Sequence, residues 1–442
     1  MTIVLNSIPR PVIELIKPIA KRGLLTWEKL ESGVVFDLTS EDVLANPYPT
    51  YQRLRERDPV HRMRLVDAWV LTRYEDVQAV LQDHRRFSNQ EAGAGDRVYT
   101  KDRSMLDLDP PDHTRLRSLV SKAFTPRSVA ALGPRVEKIV EELLDEVEGR
   151  DKFDLIDSFA FPLPIIVIAE MLGVPAEDLD RFKDWSNDIV LSLEPILTWE
   201  QRERFRRSEQ ELYDYFEGII ALRRQDPQDD LVSALLAAEE EGDRLSHGEL
   251  LATLLLLLVA GNETTRNLIG NGMLALLRNP EELQRLREQR DLLDPAIDEL
   301  LRYDSPVQLD GRTVLEDVEI GGKRVRAGQQ VVCVVGAANR DPEAFSDPDR
   351  LDIGRQEKSH ISFGRGIHFC LGASLATLEG RIALKGLLER FSSMRLAAEP
   401  EQRKQVVLRG VEDLVVDVER PSQFVSAGMG PLAKVESIAS DS

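Results

Sequence analysis

Cysteine is almost missing from this chain: Cys333 and Cys370 are the two it has in 442 residues. That is too few for a disulfide framework and fits a reducing cytoplasm. Long apolar runs are missing as well. The longest, Leu250 to Ala260, is about half of the ~20 residues that a bilayer-spanning helix needs, so it reads as a core helix. Cations are outnumbered, with 57 Lys and Arg against 77 Asp and Glu and a net charge of −20. Such a balance repels phosphate backbones and argues against a nucleic-acid partner. No Gly/Ser tract, Pro-rich spacer or charge block interrupts the middle of the sequence. One continuous domain is therefore expected over residues 37–420, preceded by an arm at 1–36 and followed by a tail at 421–442, rich in small residues and expected to be disordered. Ile8 to Trp27 alternates apolar residues with Lys and Arg. With Pro9, Pro11 and Pro18 and no small-residue cleavage site, it does not read as a secretory signal. It reads first as an arm packed on the domain, and second as a weak membrane-surface segment.

Apolar residues recur at three- and four-residue spacing over Val136–Glu148, Trp199–Arg224 and Leu375–Phe391, predicting amphipathic helices and a mainly α fold. Strand patterns are fewer: Ala68–Thr72, the β-branched stretches around Val325 and over Val331–Val335 with Gly321-Gly322 as a hairpin turn, and Leu414–Val418. These predict a minor β component. Ser246-His247-Gly248-Glu249 is a capping box, and Asn279-Pro280 is a stop, so a helix of more than thirty residues is expected between them. Its first half is apolar nearly all round, which places it in the centre of the molecule. Its middle, Ala260-Gly261-Asn262-Glu263-Thr264-Thr265, is a poor choice for a buried helix, since Gly costs about 1 kcal/mol against Ala and a buried carboxyl costs more. Something else in the fold has to offset that.

The segment from Phe363 to Gly372 joins a Gly-rich loop to a helix and puts Cys370 at the helix's N-terminus, where backbone N–H groups and the helix dipole favour a thiolate. Glycines on both sides of the Cys let the backbone approach a flat partner closely. With no second Cys nearby, a zinc site is unfavourable. A buried structural thiol is the competing reading of a lone Cys.

Phe-Gly-x-Gly-x-His-x-Cys-x-Gly at 363–372 resembles the haem-binding loop of cytochrome P-450 monooxygenases. Ala260-Gly-Asn-Glu-Thr-Thr265 is similar to that family's oxygen-activating motif, and Glu299-Leu-Leu-Arg302 to its Glu-x-x-Arg. Asp109-Pro-Pro-Asp-His113-Thr-Arg-Leu-Arg117 and Asn339-Arg-Asp-Pro342 with Phe345 resemble segments of the soluble bacterial members. The matches run in the family's order from about Asp37 to Val418. The resemblance implies the cytochrome P-450 fold, with a long central helix over a b-type haem and small β-sheets. It also implies an oxidoreductase that inserts one oxygen atom from dioxygen into a small molecule, hydroxylating or epoxidising it.

By the same resemblance Cys370 is the iron ligand, whose thiolate favours O–O cleavage. His113, Arg117, Arg312 and His368 match positions that pair with the haem propionates, where charge-assisted hydrogen bonds are the reason to place cations. Ala260, Gly261, Thr265, Phe363, Gly364 and Gly372 line the haem, with Gly261 leaving room where the central helix crosses the iron. Glu263 and Thr264 form a relay for the protons that dioxygen takes up. Against that, the Thr264 hydroxyl has the option of bonding back to the carbonyl one turn earlier. Glu299 and Arg302 are implied to clamp the 339–355 segment, with either Arg340 or Arg355 as third member. Leu256, Leu257, Val307 and Leu309, with the loop Ser88–Met105, are expected to contact a largely apolar substrate.

No Cys cluster and no Gly-x-Gly-x-x-Gly after a strand is found, so no flavin or iron–sulfur module is expected within the chain. Electrons are then expected from a separate ferredoxin and its reductase, with the basic run Arg115, Arg117, Lys122 and Arg127 as the docking face. Two other readings stand beside this one: a peroxide-using haem-thiolate enzyme, which would be expected to lack the Glu263-Thr264 pair, and a haem sensor without catalysis, which would have no use for it.

Overall fold

The computed structural model describes residues 10–90, 102–175, 178–240 and 245–421. The tail beyond 421 and most of the expected substrate loop, 91–101, lie outside them. Helices dominate: α1 (Arg10–Ser32), α2 (Glu41–Ala45), α3 (Tyr48–Arg57), α4 (Tyr74–Gln82), α5 (Asp112–Val120), α6 (Pro126–Glu146), α7 (Pro162–Leu172), α8 (Leu179–Ile189), α9 (Trp199–Gln225), α10 (Leu231–Glu240), α11 (His247–Arg278), α12 (Pro280–Glu288), α13 (Leu293–Tyr303), α14 (Val335–Ala338) and α15 (Ala373–Arg390).

The strands are short: β1 (Val60–Met63), β2 (Ala68–Leu71), β3 (Phe87–Ser88), β4 (Lys152–Asp154), β5 (Leu309–Val314), β6 (Val318–Ile320), β7 (Lys323–Val325), β8 (Gln330–Val334), β9 (Ser393–Leu396) and β10 (Val415–Glu419). One sheet has the order β1-β2-β8-β5-β3, in which only β2 and β8 are parallel. A second has the order β4-β10-β9. Gly321 and Gly322, both at positive φ, make the two-residue turn between β6 and β7, a backbone that glycine adopts without strain.

The central helix α11 begins as expected, with the Ser246 backbone N–H 2.8 Å from the Glu249 carboxylate and the Ser246 hydroxyl accepting from the Glu249 N–H. It is buried along most of its 32 residues and packs against α7, α8, α9, α13 and α15. The partners that offset its polar middle come from far away in the chain. Asn262 Nδ2 donates to the Ser186 hydroxyl of α8 at 3.2 Å. Glu263 is paired with Arg403, and Arg266 lies 3.5 Å from the same carboxylate oxygen. Arg266 and Asn271 donate to the carbonyls of Val411 and Arg409. The 403–411 segment thus supplies the counter-groups that a buried polar helix face requires.

Candidate functional site: the Cys370 loop and the exposed face of the central helix

The loop is held by its own backbone. Gly364 and Gly366 both adopt positive φ, and the Cys370 N–H donates to the Phe363 carbonyl at 2.9 Å. A Cβ on Gly366 would come 2.6 Å from the Leu81 carbonyl oxygen at the end of α4, so glycine is required twice over, by conformation and by close approach. Arg365 ties the loop to the carbonyls of Ser359 and His360. Phe363 packs on the main core. Gly372 caps α15 two residues beyond Cys370. Cys370 is exposed, unlike Cys333, which is fully buried in β8. Burial around the Cys370 sulfur nevertheless pushes its thiol up, against the Gly372 N–H and the Arg117 charge.

Helix α5 brings His113 and Arg117 onto one face, one turn apart. Arg117 donates to the Phe369 carbonyl at 2.5 Å, beside Cys370. The imidazole of His113 stands over that of His368 with ring centroids 4.2 Å apart. Both ring nitrogens of His113 and Nε2 of His368 are buried without a protein partner. Burial and the Arg117 charge lower His113, and His368 falls to about 3 through burial, reinforced by His113, Arg312 and Arg117. Arg312, buried in β5, spends both terminal nitrogens on Asp310, which leaves it a paired side chain and not a free cation.

On α11 the exposure pattern is informative. Within a helix buried almost throughout, Ala260 is exposed and Leu256, Gly261 and Thr264 are partly exposed. The i, i+4, i+8 spacing of Leu256, Ala260 and Thr264 puts them on one face. Thr265 is buried. Leu257 is buried in the main core. A Cβ at Gly261 would lie 3.2 Å from Ile168 of α7, so this glycine admits a neighbouring helix. Thr264 Oγ1 donates to the Ala260 carbonyl at 2.9 Å, the back-bond that helical Thr commonly forms. Glu263 points to Arg403 and Arg266, with Oε1 buried and unbonded, so the acid and the alcohol are adjacent in sequence but turned apart.

Val307 forms a bridge with Leu408 and packs on the main core. Leu309, by contrast, packs in a separate cluster with Phe36, Tyr51 and Val334. Arg403 and the Val407–Leu408 turn were not foreseen, because no motif marks that loop. In the Glu-x-x-Arg clamp the third member is Arg355, whose Nε lies 3.0 Å from Glu299; Arg340 serves the Tyr303 carbonyl and Asp349 instead.

A haem fits these residues. Orphaned buried donors on His113 and His368 are costly unless an acceptor meets them, and two carboxylates at the rim of a flat cofactor whose iron meets the Cys370 sulfur supply such acceptors. Among the described residues no group of His, Cys, Asp and Glu is arranged to hold a metal ion on its own, and no helix is long and apolar enough to cross a membrane.

Comparison with known proteins agrees. The family model for cytochrome P450 matches residues 46–413. The chain is 46% identical over 412 residues to cytochrome P450 107B1 of Saccharopolyspora erythraea, covering 88% of this chain and 99% of that one. Among solved structures it resembles CYP109E1 of Bacillus megaterium in complex with testosterone, with a TM-score of 0.80 and 38% identity over 86% of this chain and 99% of that one. It also resembles P450BioI bound to an acyl carrier protein carrying hexadec-9Z-enoic acid, with a TM-score of 0.81 and 39% identity over 86% and 100%. A family model spanning residues 46–413 and a 46% identical relative matched along 99% of its length make this chain a member of the cytochrome P450 family of haem monooxygenases.

Proposed function

We propose that this enzyme hydroxylates or epoxidises a largely apolar small molecule, with Cys370 as the iron ligand and electrons supplied in the cytoplasm by a separate ferredoxin and its reductase. The observation that carries the reading is the open face of α11: Leu256, Ala260 and Thr264 are accessible in the middle of an otherwise buried helix. When bound, the haem supplies oxygen activation at a thiolate-ligated iron. The protein's own groups do the rest. His113 and His368, whose buried ring nitrogens have no protein partner, would donate to the propionates together with Arg117. Leu256 and Val307 exclude water and orient an apolar substrate. Thr264 Oγ1 leaves the Ala260 carbonyl to pass a proton, and Glu263 joins the relay by turning from Arg403, taking up a proton from solvent and giving it to the Thr264 hydroxyl. Relatives seen with testosterone and with a hexadecenoyl chain support an apolar substrate class.

The docking face for the electron donor is narrower than the basic run in the sequence. Arg115 is taken by Glu249 and Asp112 and Arg117 by the Phe369 carbonyl. Exposed Lys122 and Arg127 remain to steer an acidic ferredoxin. Reduction by such a ferredoxin is expected to slow with rising ionic strength and with Lys122→Glu; indifference to both removes this face. The reading as a whole is tested by the carbon monoxide difference spectrum of the dithionite-reduced protein. A long-wavelength Soret band that Cys370→Ser abolishes is expected, and a spectrum blind to that substitution overturns it. In the same enzyme Thr264→Ala is expected to lower product formed per NADPH consumed; an unchanged ratio removes the relay.

A further inference from the structure

Helix α1 is inside out. It lies against the domain, yet its inward anchor is a carboxylate: Glu28 is buried and accepts the Phe36 N–H at 2.6 Å, the Arg64 N–H at 2.8 Å and a bond with His61 Nε2 at 2.9 Å. Its outward face is apolar. Ile19, Trp27 and Leu30 are 72%, 54% and 82% exposed, and at 100° per residue they fall with Gly23 and Thr26 on one stripe. A surface helix ordinarily turns its polar residues outward. A Cβ on Gly23, mid-stripe, would meet nothing within 4 Å, so among the described residues nothing covers the face at that point.

One flank of the stripe is basic. Arg22 and Lys29 are exposed there, while on the other flank the Arg64 guanidinium, ion-paired with Glu31, sits 4.2 Å over the Trp27 ring. From Arg10 to Ser32 the sequence carries Arg10, Lys17, Lys21, Arg22 and Lys29 against Glu14, Glu28 and Glu31, in a molecule whose net charge is −20. A cationic, apolar strip on an acidic protein is complementary to a surface that is both anionic and oily.

We propose that the exposed face of α1 docks on an anionic lipid bilayer, with Ile19, Trp27 and Leu30 entering the headgroup boundary and Arg22 and Lys29 meeting lipid phosphates. The helix lies in the interface plane and does not span. Trp suits that boundary, having an apolar body and a polar edge. From Ile19 to Leu30 the stripe presents a contact about 17 Å long. This association is independent of the haem reading and places an enzyme for apolar molecules where such molecules partition.

The test uses the full-length holoenzyme and flotation with vesicles of phosphatidylcholine alone or with one-third phosphatidylglycerol. Binding to the anionic vesicles is expected, weakened about tenfold or more by the combined Ile19→Ser, Trp27→Ser and Leu30→Ser substitutions, and weakened by about 0.5 M salt. Because these side chains face solvent, the variant's carbon monoxide spectrum and thermal midpoint should match the parent's, separating loss of docking from loss of fold. Absence of flotation, equal binding of the variant, or equal binding to neutral vesicles overturns the proposal. So does a dimer in sedimentation that the three substitutions dissociate without any vesicle binding, since the face then covers a second copy.

Discussion

Arg355 reaches 56 residues back along the chain to place its Nε 3.1 and 3.0 Å from the two carboxylate oxygens of Glu299. Arg302 holds the same oxygens through Nε and Nη2 at 2.7 and 2.8 Å, and the Asp352 N–H adds a bond at 2.9 Å. One buried carboxylate therefore balances two buried guanidinium groups and fixes the 339–355 segment to α13. Breaking a buried pair from one side leaves an uncompensated charge, so Glu299→Gln is expected to cost about 3–5 kcal/mol, read as a lower urea midpoint at unchanged slope. In a double-mutant cycle Glu299→Gln should couple to Arg355→Ala by more than ~1 kcal/mol and to Arg340→Ala hardly at all. The reverse order would show that the clamp is closed by Arg340.

The Cys370 loop makes a second prediction through Gly366, which sits at positive φ with the Leu81 carbonyl 2.6 Å from where a Cβ would stand. Gly366→Ala meets strain and a backbone clash together, each of order 1–3 kcal/mol. Gly372→Ala meets neither, since its φ is −86° and nothing lies within 4 Å of its added Cβ. The expected result is that the first substitution lowers both haem retention and the thermal midpoint, while the second leaves the midpoint within a few degrees of the parent's. Equal loss in both would mean that the helix start, and not the turn, sets the loop.

Local chemistry was legible in the sequence wherever neighbours in the chain decide it. The Ser246–Glu249 capping box, the Asn279-Pro280 stop and the Gly321-Gly322 turn each depend on residues within one turn of one another, and each fell where the pattern put it. The Cys370 loop was legible for the same reason. Pairings across the chain were not. The parallel β2–β8 ladder joins residues some 260 positions apart, and β1, β3, β4, β5 and β9 were missed because two to six residues carry little periodicity. Leu309 shows why register matters: it was expected at the substrate but lies in β5, packed with Phe36 and Tyr51, and the face of a sheet that a residue takes is set by register, which no local pattern shows. Glu263 illustrates the same limit in energy. Its placement in a core helix was recognisably costly, but the group that offsets it, Arg403, is 140 residues away in a loop without a motif.

That pair gives its own prediction. Arg403→Met leaves Glu263 buried with only Arg266, 3.5 Å away, and should destabilise the fold by about 3–5 kcal/mol. Adding Glu263→Gln removes the stranded charge and should restore more than half of the loss. Additivity of the two substitutions in thermal unfolding would show that the carboxylate is not balanced by Arg403.

Glu379 carries an opposite lesson, a buried acid with nothing to pair with. It lies on α15, nearly inaccessible, with Oε2 unbonded, and burial alone raises its carboxyl to about 8. A folded-state value above the unfolded one means that the contribution is complete below about pH 4.5 and is lost as pH rises through 8. At pH 7 the bound proton costs ~3 kcal/mol relative to an exposed glutamate. Glu379→Gln keeps the shape without the titration, so it should raise stability at pH 7–8 and flatten the fall of stability between pH 5 and 8. An unchanged pH slope would mean that the carboxylate finds a partner in solution.

His61 is the reverse case, a buried base held between two acids. Burial by itself lowers its pKa, but the hydrogen bonds to Asp58 and Glu28, both 2.9 Å, and the charges of those groups outweigh it, so the net shift is upward from 6.5. Its contribution is therefore complete below about pH 6.5 and is lost as pH rises through the higher folded value. Asp58, lowered from 3.8 despite its burial by His61 and Lys323, contributes above that value and fails as pH falls. Together they define a window between about pH 4 and 6.5 in which α1 is fastened most firmly to β1 through Glu28, with Lys323 and the Arg64 N–H as the remaining neighbours of the two acids. Hydrogen exchange of the Phe36 and Arg64 amides, both bonded to Glu28, should report it. Protection, corrected for intrinsic rate, is expected to fall as pH is raised from 6 to 9 and to become flat in His61→Gln. If protection in the parent is level across that range, the imidazole is neutral in the folded protein and α1 is held by Glu28's bonds to the backbone alone.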